Sequence, residues 1–381
     1  MIDGMSPGDD DRGSRPSVTV LMSNADDARQ QKLVRAVRRH GYPTTVLAFS
    51  RDDYYRAETD DISILGVLAH ESYLSRVPVY LRVLSRLRRD LDETDVAIVF
   101  SSEHVLLVRA ATALRRSRPY VLREFGDVPR TVDGSGLIPA LSRLIERWGL
   151  RLSSAVAVTA EGFIDEYLRR RMGYAGAVTV LPNKSDLPYR PDATWVAPAK
   201  GEQLRMLYPG LLRCRQSVDV LLAVAEAAPD EISVTVCGHN LTGRRIDERG
   251  SLRFLGPFRS PEDLERIYGG CHVVYAGYPY EPNRSNYALA RTIRFHDSVM
   301  FGRPQIAHEG TADAEVVRTQ GLGIVIDPSD VNAAAQRIIS TPIEAWQGYA
   351  ENARRLAERW STYDEDLMGV LNELRVSKMS A

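Results

Sequence analysis

The densest group of chemistry-bearing residues runs from Asn286 to Thr311, NYALARTIRFHDSVMFGRPQIAHEGT. Arg294 and Asp297 stand three apart, on one face of a helix. A polar stretch, Glu281 to Asn286, leads into it. A guanidinium beside a helix amino end suits a diphosphate, because fixed N–H dipoles and a delocalised cation both favour negative oxygens. A carboxylate one turn later can accept hydrogen bonds from ribose hydroxyls. Spacing alone favours a plainer use, an ordinary Arg294–Asp297 surface ion pair. A second group, Pro209-Gly210-Leu211-Leu212-Arg213-Cys214-Arg215-Gln216-Ser217, sets a glycine and two arginines between a strand and a helix. A parallel sheet presents groups to an anion at such a turn. Solvated loop charge explains it equally well.

Two groups in the first half also follow strands. Asp26-Asp27-Ala28-Arg29 opens a helix, and either aspartate can cap it. Arg123-Glu124-Phe125-Gly126-Asp127 offers two acidic groups for sugar hydroxyls or a proton, or a structural turn at Gly126-Asp127. His104 follows another strand, at the same sheet edge; His296 reads as a packed ring. The histidines form no HExxH or HxH pattern, so no metal site is expected, and GxGxxG, GxSxG and P-loop motifs are absent. Cys214, Cys237 and Cys271 are odd in number and widely spaced. They read as small buried residues in a reducing, cytoplasmic setting, not as a disulfide framework.

The elements that must position these residues alternate. Ser17–Met22, Thr44–Phe49, Asp95–Phe100, Pro119–Arg123, Ala155–Thr159 and Ala177–Leu181 are apolar strand-like runs, with helical spacing at Ala28–Arg39, Val105–Arg115, Ile138–Leu150 and Glu161–Arg171 between them. The Pro- and Ala-rich segment from Pro188 to Lys200 breaks the pattern. Beyond it strands are expected at Leu204–Tyr208, Ile232–Cys237, Leu252–Leu255, His272–Ala276, Pro304–Ala307 and Gly323–Ile326. Helices are expected at Val218–Ala228, Pro261–Tyr268 with Ser260 as cap, Ile293–Met300 and Ala312–Thr319. Such alternation means parallel α/β sheets. The expected organisation is a disordered leader over residues 1–16, a Rossmann-like domain over 17–187, a linker over 188–200 and a second Rossmann-like domain over 201–342. Helices over 343–381 are expected to pack back on the first domain.

The chain has 381 residues, 44% of them apolar, and a formal net charge of -1. That suits two full cores and excludes a global basic field for nucleic acid. No apolar run approaches the length of a membrane span. Arginine-rich stretches at Arg82–Arg89, Arg115–Arg118 and Arg169–Arg171 offer peripheral contact with an anionic membrane at its inner face, or simply solvated helix faces.

In order and spacing these groups resemble a family, the bacterial GT-B glycosyltransferases of the glycogen-synthase-like, retaining type (family four and its capsular-polysaccharide relatives). Asp27-Ala28-Arg29 with Gly41-Tyr42, Thr159-Ala160-Glu161-Gly162-Phe163, Leu181-Pro182-Asn183-Lys184, Leu255-Gly256-Pro257-Phe258 and the Asn286–Pro304 block carry the resemblance, over roughly residues 17–340. It implies the GT-B fold, two Rossmann-like domains whose parallel sheets face a central cleft. It also implies a metal-independent, hexosyltransferase-like enzyme with no cofactor and a nucleotide-sugar donor. The acceptor would be a glycan, a lipid-linked sugar or a small molecule. Carried over, Arg213, Arg215 and Arg294 face the donor diphosphate, and Gly210, Glu281, Asn286 and Asp297 complete the donor side. Arg29, His104, Glu124 and Asp127 fall on the acceptor side. Arg294 stands where the family usually has lysine and Asp297 where it has glutamate. A non-catalytic GT-B binding subunit and a nucleotide-sugar epimerase are the competing readings.

Overall fold

The structure, a computed structural model, describes residues 15–50, 61–68, 73–185, 187, 194–244, 246 and 249–379. The leader expected over residues 1–16 thus lies outside the described residues except for its last two, and the expected linker is described only from Thr194.

The first half runs β1 (Val18–Met22), α1 (Ala28–Arg39), β2 (Thr44–Ser50), β3 (Ser63–Val67), α2 (Tyr73–Asp90), β4 (Val96–Val99), α3 (Ser102–Ala111), β5 (Tyr120–Phe125), α4 (Leu137–Leu152), β6 (Ala155–Val158), a wide-turn helix over Phe163–Arg171 and β7 (Val178–Val180). The second half runs β8 (Leu204–Pro209), α5 (Arg215–Ala227), β9 (Ile232–Cys237), β10 (Leu252–Gly256), α6 (Leu264–Gly269), β11 (Val273–Tyr275), α7 (Ser285–Leu289), α8 (Ile293–Met300), β12 (Gln305–His308), α9 (Ala312–Thr319), β13 (Gly323–Ile326), α10 (Val331–Ile339), α11 (Ile343–Ala357) and α12 (Tyr363–Met379).

Two parallel sheets result, ordered β3-β2-β1-β4-β5-β6-β7 and β10-β9-β8-β11-β12-β13. Their central strands read as unbroken apolar runs because helices cover both faces; every residue of β1, β4, β6 and β12 is buried. In each sheet the chain winds outward from a first strand, then returns to start the other side. The order therefore reverses between β1 and β4, and again between β8 and β11, where Met206 and Leu207 register with Val273 and Val274. Ligands of doubly wound sheets sit outside the carboxyl ends of the strands at this reversal.

The described chain divides into two compact units. One holds Met1–Thr159, Ile164–Leu181 and Asp364–Ala381; the other holds Ala160–Phe163 and Pro182–Tyr363. The division falls at Pro182, ahead of the proline-rich segment on which the sequence places a linker. α11, expected with the first domain, belongs to the second unit: Ala353 and Ala357 share a core with Phe295 and Val299 of α8. Only α12 joins the first unit, where Asp364 takes a bidentate pair from Arg39 at 3.0 and 2.7 Å. β3 and the start of α2 carried no readable signal. α6 starts at Leu264, three residues later than expected, because the Asp263 carboxylate is spent on the Arg259 N–H at 2.8 Å in the preceding turn.

Candidate functional site

Among the described residues of the second unit, Arg294 holds the most telling position. Thr292 caps α8, its Oγ1 accepting from Phe295 N at 3.0 Å. This sets Arg294 in the first turn. Its guanidinium donates to Pro209 O at 3.4 Å and Gly277 O at 2.9 Å and lies 4.6 Å over the Tyr208 ring. Pro209 ends β8 and Gly277 follows β11, so the cation bridges the two strands at which the sheet order reverses. The surface ion pair that spacing favoured does not form. Asp297 is buried and accepts instead from the Tyr268 hydroxyl at 3.4 Å. Among the described residues no carboxylate forms an ion pair with Arg294, so a half-buried guanidinium is met by carbonyl oxygens and a ring face. Such a group attracts an anion strongly in a low-dielectric setting.

The rim around it is built from glycines. Gly210 (φ 109) follows β8 and Gly238 (φ 135) follows β9. A Cβ on Gly238 would lie 1.8 Å from Gly210 O, and one on Gly277 would lie 2.3 Å from His308 Nε2. Backbone thus packs on backbone at the carboxyl edge, leaving N–H and C=O groups where a ligand can approach. Cys214 joins two of the loops: as N-cap of α5 its Sγ accepts from Ser217 N at 3.3 Å and also from Tyr280 N at 3.3 Å.

The other donor-side residues are placed as follows. Arg213 and Arg215 are exposed, on the loop into α5 and at its first residue; Arg215 Nε donates to Thr242 O at 3.3 Å. The contacts of neither include Arg294. Glu281 is half-buried in a turn closed by Arg284 N to Glu281 O at 2.9 Å. Asn286 lies on α7, a short separate helix, where one polar loop leading into α8 was expected.

Three residues at this edge escaped sequence reading. His308 ends β12, is wholly buried and shares a 2.8 Å hydrogen bond with the Tyr275 hydroxyl. Burial lowers its pKa to about 3, so its ring is neutral at ordinary pH. Gly238 and Asp313 are the others. The Asp313 carboxylate accepts from Thr292 N at 3.0 Å and Thr292 Oγ1 at 2.8 Å, with Arg291 Nε 3.6 Å away, and so fixes the start of α8. Burial raises its pKa to about 6, opposed by Arg291 and the Thr292 bonds. A raised carboxyl pKa contributes stability below the unfolded value near 4, lost as pH rises through about 6. Asp313→Asn keeps an acceptor for Thr292 and removes that titration. Its unfolding free energy relative to the parent is therefore expected to climb between about pH 4 and 6, by up to about 3 kcal/mol, and to stay level above. Urea melts across that range measure it; a flat difference contradicts the assignment.

In the first unit, Arg29, Glu124 and Asp127 come together. Asp27 caps α1 by accepting from Gln30 N at 3.1 Å, which starts the helix so that Arg29 faces back over the sheet. Its guanidinium is 3.8 Å from Glu124 Oε2 and 3.5 Å from Asp127 Oδ2. A Cβ at Gly126 would sit 1.5 Å from Arg29 Nη1, so a larger residue there would push the guanidinium aside. Burial pushes the Glu124 carboxyl pKa up, with Arg29 opposing. His104 takes another role. It is 1% exposed, stacked on Phe49 at 5.2 Å and edge-on to Tyr80, the environment of a packed ring rather than of an acceptor ligand. Among the described residues, no three His, Cys, Asp or Glu side chains cluster as metal ligands would.

Two doubly wound parallel sheets, one of seven strands and one of six, each reversing beside its first strand, are the architecture of the GT-B proteins. Residues 27–184 match the family described as "Glycosyl transferase 4-like domain". The succinoglycan biosynthesis protein ExoL of Rhizobium meliloti (strain 1021) is 25% identical over 327 residues, 82% of this chain and 81% of that one. Sucrose-phosphate synthase of Thermosynechococcus elongatus superposes with a TM-score of 0.67 at 14% identity, over 96% of this chain and 100% of that one. Anabaena HepE, solved with UDP and glucose, gives 0.62 at 13%, over 96% and 99%. The chain thus has the GT-B fold, and its first half is similar to a glycosyl transferase 4-like domain.

Proposed function

We propose that the chain transfers a sugar from a nucleoside-diphosphate sugar to an acceptor hydroxyl, with retention at the anomeric carbon and without a metal, in assembly of a polysaccharide. The Arg294 guanidinium at the β8/β11 reversal carries this reading. As the bond from the anomeric carbon to the diphosphate oxygen lengthens, both electrons stay on that oxygen. A preorganised cation there stabilises the charge as it grows. The acceptor hydroxyl bonds to the anomeric carbon, and its proton passes to the departing phosphate. No protein base is then needed, in keeping with a site whose histidine, His308, is enclosed and hydrogen-bonded to Tyr275. Arg213 and Arg215 are proposed to reach the diphosphate from the exposed loop into α5. Asp297 is proposed to serve the ribose, and Arg29, Glu124 and Asp127 to hold acceptor groups. Retention and metal independence rest on the motif resemblance. ExoL by its name acts in succinoglycan biosynthesis, and HepE holds UDP-glucose in a second structure, which supports a UDP-sugar and a polysaccharide product.

A thermal-shift screen of nucleoside diphosphates and their sugars tests the reading. UDP is expected to raise the melting temperature, by the equivalent of about 2.7 kcal/mol at a hundredfold excess over Kd, with or without EDTA. Absence of any shift with every nucleoside diphosphate overturns it.

A further inference from the structure

A surface helix normally turns its apolar face inward. α4 turns in only a narrow apolar contact, Leu150 with Ile145 half-buried. Its buried side carries Glu146, paired with Arg123 at 2.7 Å, and Gly149, where a Cβ would lie 2.2 Å from Ser102 Oγ. Its outward side carries Leu137, Leu141, Leu144, Trp148 and Leu152, all exposed, Leu137 to 90% and Trp148 to 54%. At about 100° per residue these five fall within an arc of roughly 80°. A stripe of this kind on one helix is unusual for a free surface and marks an interaction face.

The charges beside the stripe say what covers it. Arg147 and Arg151 are exposed along one edge, and the one acid of the helix, Glu146, is turned inward. A second copy docking through this face would bring like charges together with no acid on the helix to meet them. An anionic lipid surface meets both features: acyl chains take the leucines, headgroups take the arginines, and the interfacial region suits an indole. The arginine runs singled out in the sequence fit less well, because several of their charges are paired within the fold. Arg86 pairs with Asp90, Arg115 with Asp92, Arg169 with Asp165, Arg170 with Glu166 and Arg171 with Asp133.

We propose that α4 is an in-plane membrane anchor which seats the first unit on anionic lipid by its Leu/Trp stripe and Arg147/Arg151 edge. Among the described residues no helix is long and apolar enough to cross a membrane, so the attachment is peripheral. The proposal stands independently of sugar transfer, since lipid binding needs no donor.

The test is sedimentation of the full chain with vesicles of phosphatidylcholine alone or with roughly 30% phosphatidylglycerol. Binding is expected to the anionic vesicles. Leu141→Glu/Trp148→Glu is expected to lower the partition coefficient at least about tenfold. Arg147→Ser/Arg151→Ser is expected to lower it about fivefold per arginine and to flatten its salt dependence. Circular dichroism and the UDP thermal shift report on folding and on the donor site, so their loss or retention separates this proposal from the functional one. Failure to bind anionic vesicles, equal binding by the stripe variant, or a dimer that the stripe variant dissolves would each overturn it.

Discussion

Arg294→Ala is expected to lower kcat/KM for the nucleotide-sugar by about 100-fold, a loss of about 3 kcal/mol of transition-state stabilisation, and to erase most of the stabilisation by UDP. The size follows from where the guanidinium sits. It is held by Pro209 O and Gly277 O and by the Tyr208 ring before any ligand arrives, so it has no reorganisation to undergo as charge develops on the leaving oxygen. Arg213 and Arg215 are exposed, and a single exposed arginine contributes less because water screens it; their alanine variants should each cost no more than about tenfold. Arg294→Lys is a useful intermediate. It keeps a cation but loses the fixed fork that spans two carbonyls, so it should recover part of the loss. Because removing a half-buried, hydrogen-bonded charge can itself alter stability, melting temperature without ligand is measured alongside. Full turnover by Arg294→Ala in a fold of unchanged stability would remove the diphosphate role from this residue.

Much of this architecture was readable in the sequence for one physical reason. A parallel strand covered on both faces is apolar along its whole length, so VTVLM, VAIV and AVAV announce themselves. β3 does not, because SILGV is an edge strand, half-exposed and interrupted by Gly66. The boundary at Pro182 was equally silent. Proline-rich composition marks where a chain is irregular, not where contacts stop crossing. In the site, residue type identified three arginines as equals, and only tertiary packing shows that one of them is half-buried and held by carbonyls at the reversal of the sheet. Arg29 and Asp127 stood out because one opens a helix and the other follows a strand, and Glu124 is the next-to-last residue of β5. Asp313 and His308 did not. Their partners, Thr292 and Tyr275, lie 21 and 33 residues away, and a single polar residue at a strand or helix end has no period to reveal it.

The orientation of α4 yields the largest expected effect on stability. With four of its leucines and Trp148 facing out, the helix is held by a buried ion pair beside Leu150, its one buried leucine. Arg123 and Glu146 side chains are each 2% exposed, and Arg123 also donates to Ser102 Oγ at 2.8 Å and covers the Phe125 ring at 4.9 Å. Glu146→Ala strips the carboxylate and leaves a guanidinium enclosed by protein, for which about 3–5 kcal/mol of unfolding free energy should be lost. The double variant Arg123→Met/Glu146→Leu removes both charges and fills the space with methylenes. It should fall within about 1.5 kcal/mol of the parent, because an apolar pair avoids the desolvation that an ion pair incurs. Urea melts of the parent, the single variant and the double variant decide the matter. A single variant as stable as the parent would mean that water or another group reaches Arg123. A double variant as unstable as the single would mean that the pair's geometry, rather than its charge balance, seats the helix. If the expected pattern holds, the stripe faces outward because an internal charge pair, balanced only in that orientation, fixes the helix about its axis.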